Sequence, residues 1–285
     1  KLSKLFFSHQ KQQLHTPTNI LLLSLAVSDF LVGLVLVPRE ILRNTSCWFF
    51  GDLACSLYNY VSFIVTSASV GNVVLISIDR YVAICDPLHY PTRITDRRVK
   101  LCVCLCWLCS GLYSTLFVDF TQTGKQNYCY GECRNNVDFI AGTIDVILTF
   151  IVPVSVIIVL YLRVFVVAVS QARAMRSHVT AVTLQLSVTQ TKKSELKAAR
   201  TLGVLVAVFL ICFCPYYCVN LVGEALLNRL IPPFVLYLFY FKSCLNPLIY
   251  ALFYPWFRKA FYLYSAKSQQ TVASRRFVLW VKTLQ

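Results

Sequence analysis

The sequence predicts an all-α membrane protein, and three observations carry that prediction. Hydrophobic residues make up 57% of the 285, charged residues only 14%, and mean hydropathy is +0.63, far too apolar for an ordinary soluble domain of this length. Six windows, about 20–38, 53–78, 101–118, 139–162, 201–223 and 230–254, are long enough to cross a hydrocarbon core. Crossing about 30 Å takes roughly 20 helical residues. The windows are continuous apolar runs without the ten-residue alternation of barrel strands, so they read as helices. The third observation is the placement of charge. Most of the 27 lysines and arginines fall in residues 1–16, 79–100, 163–200 and 255–285, whereas the alternate connections hold Arg39 and Arg43, then Lys125 and Arg134, then Arg229. That asymmetry predicts a multi-pass topology with both ends of the chain, including the C-terminus, in the cytoplasm. It also explains the net charge of +15 without nucleic acid, since no basic face interleaved with aromatics is present.

Each window has its own content. The first contains LLLSLAVSDF, with Asp29 as its single charge. The second has none and runs into DRYVAICDPLHY. The third carries Cys102, Cys104, Cys106 and Cys109, which read as small buried hydrophobes. An apolar span supplies no polar shell to orient thiolate ligands, so no metal is expected there, and nothing implies another cofactor. The fourth holds Asp145, the fifth contains FLICFCP, and the sixth holds Lys242 inside FKSCLNPLIY. An ionisable side chain inside a span marks a functional site by default, because burying it unpaired is expensive. Of the 13 cysteines, Cys47, Cys55, Cys129 and Cys133 fall on the expected outer side, where disulfides persist.

Residues 163–200 have helix-forming ends and a Ser/Thr/Gln-rich middle, which predicts two helical extensions joined by a mobile loop. Beyond Tyr254, PWFRKAFYLY sets Trp256, Phe257, Phe261 and Tyr264 beside Arg258 and Lys259, the pattern of a short amphipathic helix on the lipid surface. Residues 1–265 are thus expected to form the bundle and 266–285 a cytoplasmic tail.

Taken in order, Asp29 in the first window, Asp79-Arg80-Tyr81 closing the second, Trp107, Pro153 in TFIVP, Pro215 in FLICFCP and Asn246-Pro247 to Tyr250 in NPLIY form a specific series. The chain resembles the rhodopsin-like G-protein-coupled receptors over nearly its whole length. SCWFFGD at 46–52 and LFYPWFRKAF at 252–261 resemble the trace amine-associated receptors in particular. The resemblance implies a seven-helix bundle with a short helix 8. Because the sequence opens on the first cytoplasmic loop, the first helix is expected to be missing or only partly present, leaving six full spans. It implies no enzyme, but an olfactory plasma-membrane receptor that binds a small amine and couples through a stimulatory heterotrimeric G protein to cyclic AMP.

The same resemblance assigns roles residue by residue. The family's usual ammonium-binding aspartate on span three is replaced here by Ser62, and Asp145 on span five is the substitute. Asp145 precedes Pro153 by a little over two turns and is expected to face the same way as Thr149. Tyr216, Tyr217 and Tyr240 resemble the family's aromatic wall, with cation–π attraction of about 0.5–2 kcal/mol. The packing alternative is that Asp145 bonds a neighbouring Ser, Thr or Tyr. Glu224 is a candidate for a second amine group or a solvated rim charge. Cys55 is implied to pair with the second outer loop, where Cys129 and Cys133 are both available and family spacing favours Cys133. Asn44-Thr45-Ser46 is a sequon close to a span end. Asp79, Arg80 and Tyr81, with Glu195 as the arginine's resting partner, resemble the G-protein coupling end. Tyr161, Phe209, Phe213, Asn246, Pro247 and Tyr250 resemble the transmission residues, although Phe213 stands where the family has tryptophan. Asp29, Ser69, Asn246 and position 242 resemble a sodium site in which lysine replaces asparagine, so Lys242 is expected to pair with Asp29 and substitute for the ion. The residues leave other readings open: a receptor of this fold for a non-amine ligand, a non-signalling fragment or decayed gene product, and a transporter, against which stands the lack of inverted repeats.

Overall fold

The computed structural model describes residues 16–45, 48–122, 133, 139–178, 203–219 and 233–253. Those residues are helical throughout their elements, and no strand occurs among them. Residues 1–246 form one unit and 247–285 another, of which only 247–253 are described.

Helix α1 spans Pro17–Leu31. The Thr16 hydroxyl accepts from the Asn19 amide, and Pro17 fits the first turn because the amide it lacks would be unbonded there. A π segment, Val32–Leu36, joins it to α2, Val37–Thr45. Helix α3, Gly51–Cys85, begins at a glycine with φ 76°, a left-handed value that a side chain would disfavour, and its end lies beside Asp86-Pro87. A short helix α4, Tyr90–Arg93, follows, then α5, Asp96–Gln122. Helix α6, Phe139–Val146, runs through a second π segment, Ile147–Ile151, into α7, Val152–His178. Helix α8 is Gly203–Val219 and α9 is Pro233–Phe253.

The first four windows lie in helices long and apolar enough to cross a membrane: Pro17–Leu42, Leu53–Cys85, Asp96–Val118 and Phe139–Ser170. The second window is two turns too short as read from sequence, because the polar end of α3 continues the same helix to Cys85. The last two windows appear as α8 and α9, their flanks falling outside the described residues. The helical extension expected after residue 162 is present to His178; the loop behind it, the amphipathic helix at 255–264 and the tail are not described.

Both π segments stop just short of a proline, Pro38 and Pro153. A proline in mid-helix removes one amide and drives its ring against the carbonyl four residues back, and a one-residue widening relieves that clash. Helix α3 is the central element, packed against α1, α5 and α7. Its core side sets the buried apolar residues Val65, Ala68, Val73 and Ile76 beside the buried polar residues Ser69, Asn72, Ser77 and Asp79. On α5, Leu101, Leu105, Leu108, Leu112 and Leu116 recur at helical spacing and all are exposed, the pattern of a lipid-facing stripe. Gly71 lets α5 approach closely, since a Cβ there would collide with Cys106 Sγ.

Candidate functional site

Asp145 sits one residue before the end of α6, half-buried. Its Oδ1 accepts from the Tyr113 hydroxyl of α5 at 2.5 Å. The widened turn that follows carries Thr149, whose hydroxyl donates to the Asp145 backbone carbonyl at 2.7 Å and lies 3.1 Å from the Tyr217 hydroxyl on α8. Asp145, Thr149 and Tyr217 are therefore linked in one polar chain spanning α6 to α8. Tyr113 is a residue that sequence reasoning missed. Aromatic residues in spans are normally packing, and its partner lies 32 positions away on another helix.

The rings of the expected aromatic wall are occupied by one another. Tyr217 stacks on Phe150 at 4.5 Å and meets Tyr216 edge-on at 5.3 Å; Tyr216 also packs against Phe239 at 4.8 Å. Tyr240 is buried against Phe239. Ser62 is half-buried on α3, one turn beyond buried Tyr58, and no hydrogen bond joins it to Asp145 among the described residues.

At the same end of the helices a disulfide joins Cys55, at the start of α3, to Cys133. The Arg39 guanidinium lies over the Tyr58 ring at 3.7 Å and the Trp48 ring at 4.9 Å, and its Nη1 is 3.4 Å from the Glu40 carboxylate. Glu224, Cys129 and the Asn44 side chain lie outside the described residues.

Midway along the bundle a polar core is built from α1, α3 and α9. Lys242 is 3% exposed, donates to the Ser69 hydroxyl, and places Nζ 3.9 Å from Asp29 Oδ1. Asn246 donates to Asp29 Oδ2 at 2.8 Å. The same ammonium lies 5.1 Å from the Phe213 ring centre and 5.9 Å from that of Phe209, and those rings stack at 4.3 Å. A small cavity beside it, with room for about one water, is lined by Thr66, Ser69, Phe213, Tyr240, Lys242 and Ser243. A sodium ion, which the resemblance implies for this place, does not fit the residues present. The ammonium already holds Ser69 and faces the Asp29 carboxylate, and among the described residues no further negative charge stands there to balance a second cation.

At the other end, Arg80 bonds Asp79 Oδ2 through Nε at 2.9 Å and through Nη2 at 2.5 Å, and its Nη2 also donates to Thr18 Oγ1 at the start of α1. Thr18 in turn donates to Asp79 Oδ2 at 3.0 Å, and Tyr90 of α4 donates to Oδ1 at 2.9 Å. Burial pushes the Tyr90 phenol above its usual range, so it stays a donor. Thr18 and Tyr90 are further residues that sequence reasoning missed; Glu195, the expected partner of Arg80, lies outside the described residues. On the loop surface, the hydrogen bond from His89 holds the Asp86 carboxyl below its usual range. Tyr81 packs on the Ile84–Val164 cluster, and Tyr161 lies against Gly203. Pro247 sits inside α9, and the side chain of Tyr250 is not described. No group of three or more potential metal ligands occurs among the described residues.

Residues 5–250 match the family 7 transmembrane receptor (rhodopsin family). The chain is 40% identical over 259 residues to trace amine-associated receptor 5 of Mus musculus, covering 87% of this chain and 74% of that protein. It is 36% identical over 266 residues to trace amine-associated receptor 1 of Mus musculus, covering 89% and 80%. To trace amine-associated receptor 13c of Danio rerio it is 36% identical over 267 residues, covering 87% and 76%.

Proposed function

The chain belongs to the trace amine-associated receptors of the rhodopsin family, multi-pass membrane receptors rather than enzymes, and from that premise we propose that it senses an amine through Asp145. The observation that carries the reading is a half-buried carboxylate inside an apolar span, bonded by the Tyr113 hydroxyl and with no cation of the protein bonded to it among the described residues. An ammonium 4 Å from such a group gains about 4 kcal/mol at an effective dielectric near 20, less the desolvation of both partners. Thr149, Ser62, Tyr216, Tyr217 and Tyr240 complete the ligand site in this reading, and the agonist acts by favouring the state in which the Arg80 end opens to a G protein. It shifts that equilibrium only by its differential affinity for the two states. The G protein is of the stimulatory class, the output is cyclic AMP, the setting is olfactory, and the C-terminus is cytoplasmic.

Lys242 has a second part in the reading: its tethered ammonium does the work of a bound monovalent cation. Its contacts with Ser69, 3.9 Å approach to Asp29 and position over Phe213 support this.

The test is a cyclic AMP reporter assay in cells expressing the chain, with a panel of mono- and diamines, beside Asp145→Asn at matched surface level. Amine responses that vanish in Asp145→Asn are expected. Good surface display without any amine response would point to a non-amine ligand or a silent receptor.

A further inference from the structure

The hydroxyl protons around Asp145 are all committed, and their directions can be worked out. Tyr113 donates to Oδ1 at 2.5 Å. Thr149 has one hydroxyl proton, and it goes to the Asp145 backbone carbonyl at 2.7 Å. In the 3.1 Å contact between Thr149 and Tyr217, Tyr217 must therefore be the donor. What the cluster has left to offer a ligand is acceptors: the lone pairs of the Tyr113, Thr149 and Tyr217 oxygens, and Asp145 Oδ2, to which no hydrogen bond is formed among the described residues.

Each of the two tyrosine rings also has a face covered. Tyr217 is stacked on Phe150 at 4.5 Å with the planes 11° apart, and Tyr113 is stacked on Phe117 at 5.8 Å, which in turn packs on Phe63 at 4.6 Å. A quaternary ammonium is recognised by open aromatic faces. A primary ammonium is recognised by acceptors, because it has three N–H groups to satisfy.

We propose that Tyr113 is a specificity-determining residue of the ligand site, holding Asp145 so that one carboxylate oxygen and the Tyr113 oxygen together receive an ammonium carrying at least two N–H groups in preference to its tertiary and quaternary forms. This rests on the reading of Asp145 as the ammonium anchor. By occupying Oδ1, Tyr113 fixes the carboxylate rotamer, and its own lone pair becomes a second acceptor beside Oδ2. A primary or N-methyl ammonium keeps enough N–H groups for both acceptors, whereas the second and third methyl groups each remove a donor that one of them would receive.

The experiment uses 2-phenylethylamine and its N-methyl, N,N-dimethyl and N,N,N-trimethyl forms on the whole chain, with surface labelling, in wild type, Tyr113→Phe and Asp145→Asn. In wild type, potency holds between the primary and N-methyl forms and then falls by about tenfold for each hydrogen bond to a charged group that the second and third methyls remove. In Tyr113→Phe, the primary amine loses about tenfold while the trimethyl form is unchanged, so the slope of the series flattens. A tyrosine that merely supported the fold would shift all four ligands equally, and that result overturns the proposal. So does a wild type that responds equally to the primary and quaternary forms while still requiring Asp145. If none of the four drives a response that Asp145→Asn removes, the anchor reading itself has failed and this inference falls with it. The wild-type series alone decides the ligand preference if Tyr113→Phe does not reach the surface.

Discussion

The Lys242 ammonium and the Asp29 carboxylate lie 3.9 Å apart with each side chain 3% exposed, so two charges that are separately expensive in the middle of a bundle are set against each other. The separation exceeds a direct hydrogen bond. Lys242 gives a proton to Ser69, and Asn246 supplies the donor to the other Asp29 oxygen.

That arrangement predicts how the receptor meets monovalent cations. Agonist responses of the wild-type chain should not change when sodium is exchanged for a bulky organic cation at constant ionic strength. Lys242→Asn leaves a buried carboxylate with polar neighbours and no counter-charge, and should create a sodium dependence that Asp29→Asn, added to it, abolishes. A sodium response in the wild type, with Lys242 in place, would refute the idea.

The same pair predicts a pattern of stability. Removing one partner of a buried pair strands the other, at a cost of about 3–5 kcal/mol. Asp29→Ala and Lys242→Ala should each lower the melting temperature of detergent-purified receptor substantially. Asp29→Asn with Lys242→Met, which removes both charges and keeps most of the volume, should recover most of the loss. Additive losses in the double variant would show that the two charges do not interact.

Arg80 is held by a small network, which predicts graded basal activity. Tyr90→Phe deletes the donor to Asp79 Oδ1, and Thr18→Val deletes the group between Asp79 and the guanidinium. A hydrogen bond to a charged group contributes about 1.5–3 kcal/mol, so either change could release the arginine by about tenfold or more. Ligand-independent G-protein activation at equal surface density should rise in both variants and most in Asp79→Asn. Unchanged basal output in all three would mean that this network does not restrain signalling.

Gly203 makes a prediction about packing. A Cβ at that position would collide with the Tyr161 hydroxyl, whereas Cζ at 3.0 Å and Cε2 at 3.2 Å would have to give only slightly. Gly203→Ala should destabilise the receptor by about 1–3 kcal/mol, the usual range for overpacking. Tyr161→Phe should restore most of the loss, because the hydroxyl is the atom that stands inside 3.0 Å, and Tyr161→Leu should add little beyond it. Thermal unfolding of the four proteins separates these cases.

How much of this was legible without coordinates depended on the kind of constraint. The spans were readable because hydrocarbon demands continuous apolar runs, and the Lys242–Asp29 relation because two charges inside spans need each other. The π segments were not. Pro38 and Pro153 announce where the helical ladder fails, but not whether it kinks or widens. Tyr113 was hidden because a tyrosine in a span has the same sequence signature whether it packs or bonds, and only the approach of α5 to α6 reveals its partner. The Arg80 network was half visible: Asp79 adjoins the arginine in sequence, whereas Thr18 and Tyr90 reach it only through the start of α1 and the short helix at Tyr90–Arg93.

The disulfide supplies the last prediction. Cys55 and Cys133 are 78 residues apart in sequence, and closing a loop of that length removes chain entropy worth about 4–5 kcal/mol in the simple model. Local packing shares the work, because Arg39 is sandwiched between Trp48 and Tyr58 at the same end of the helices. Cys55→Ser and Cys133→Ser should therefore each reduce surface display sharply and to a similar extent, and the double variant should be no worse than either alone. Cys129→Ser should keep near-normal display. Equal losses in Cys129→Ser and Cys133→Ser would mean that the two cysteines of the CYGEC stretch exchange as partners of Cys55, and a non-reducing peptide map of the wild type would then show both linkages.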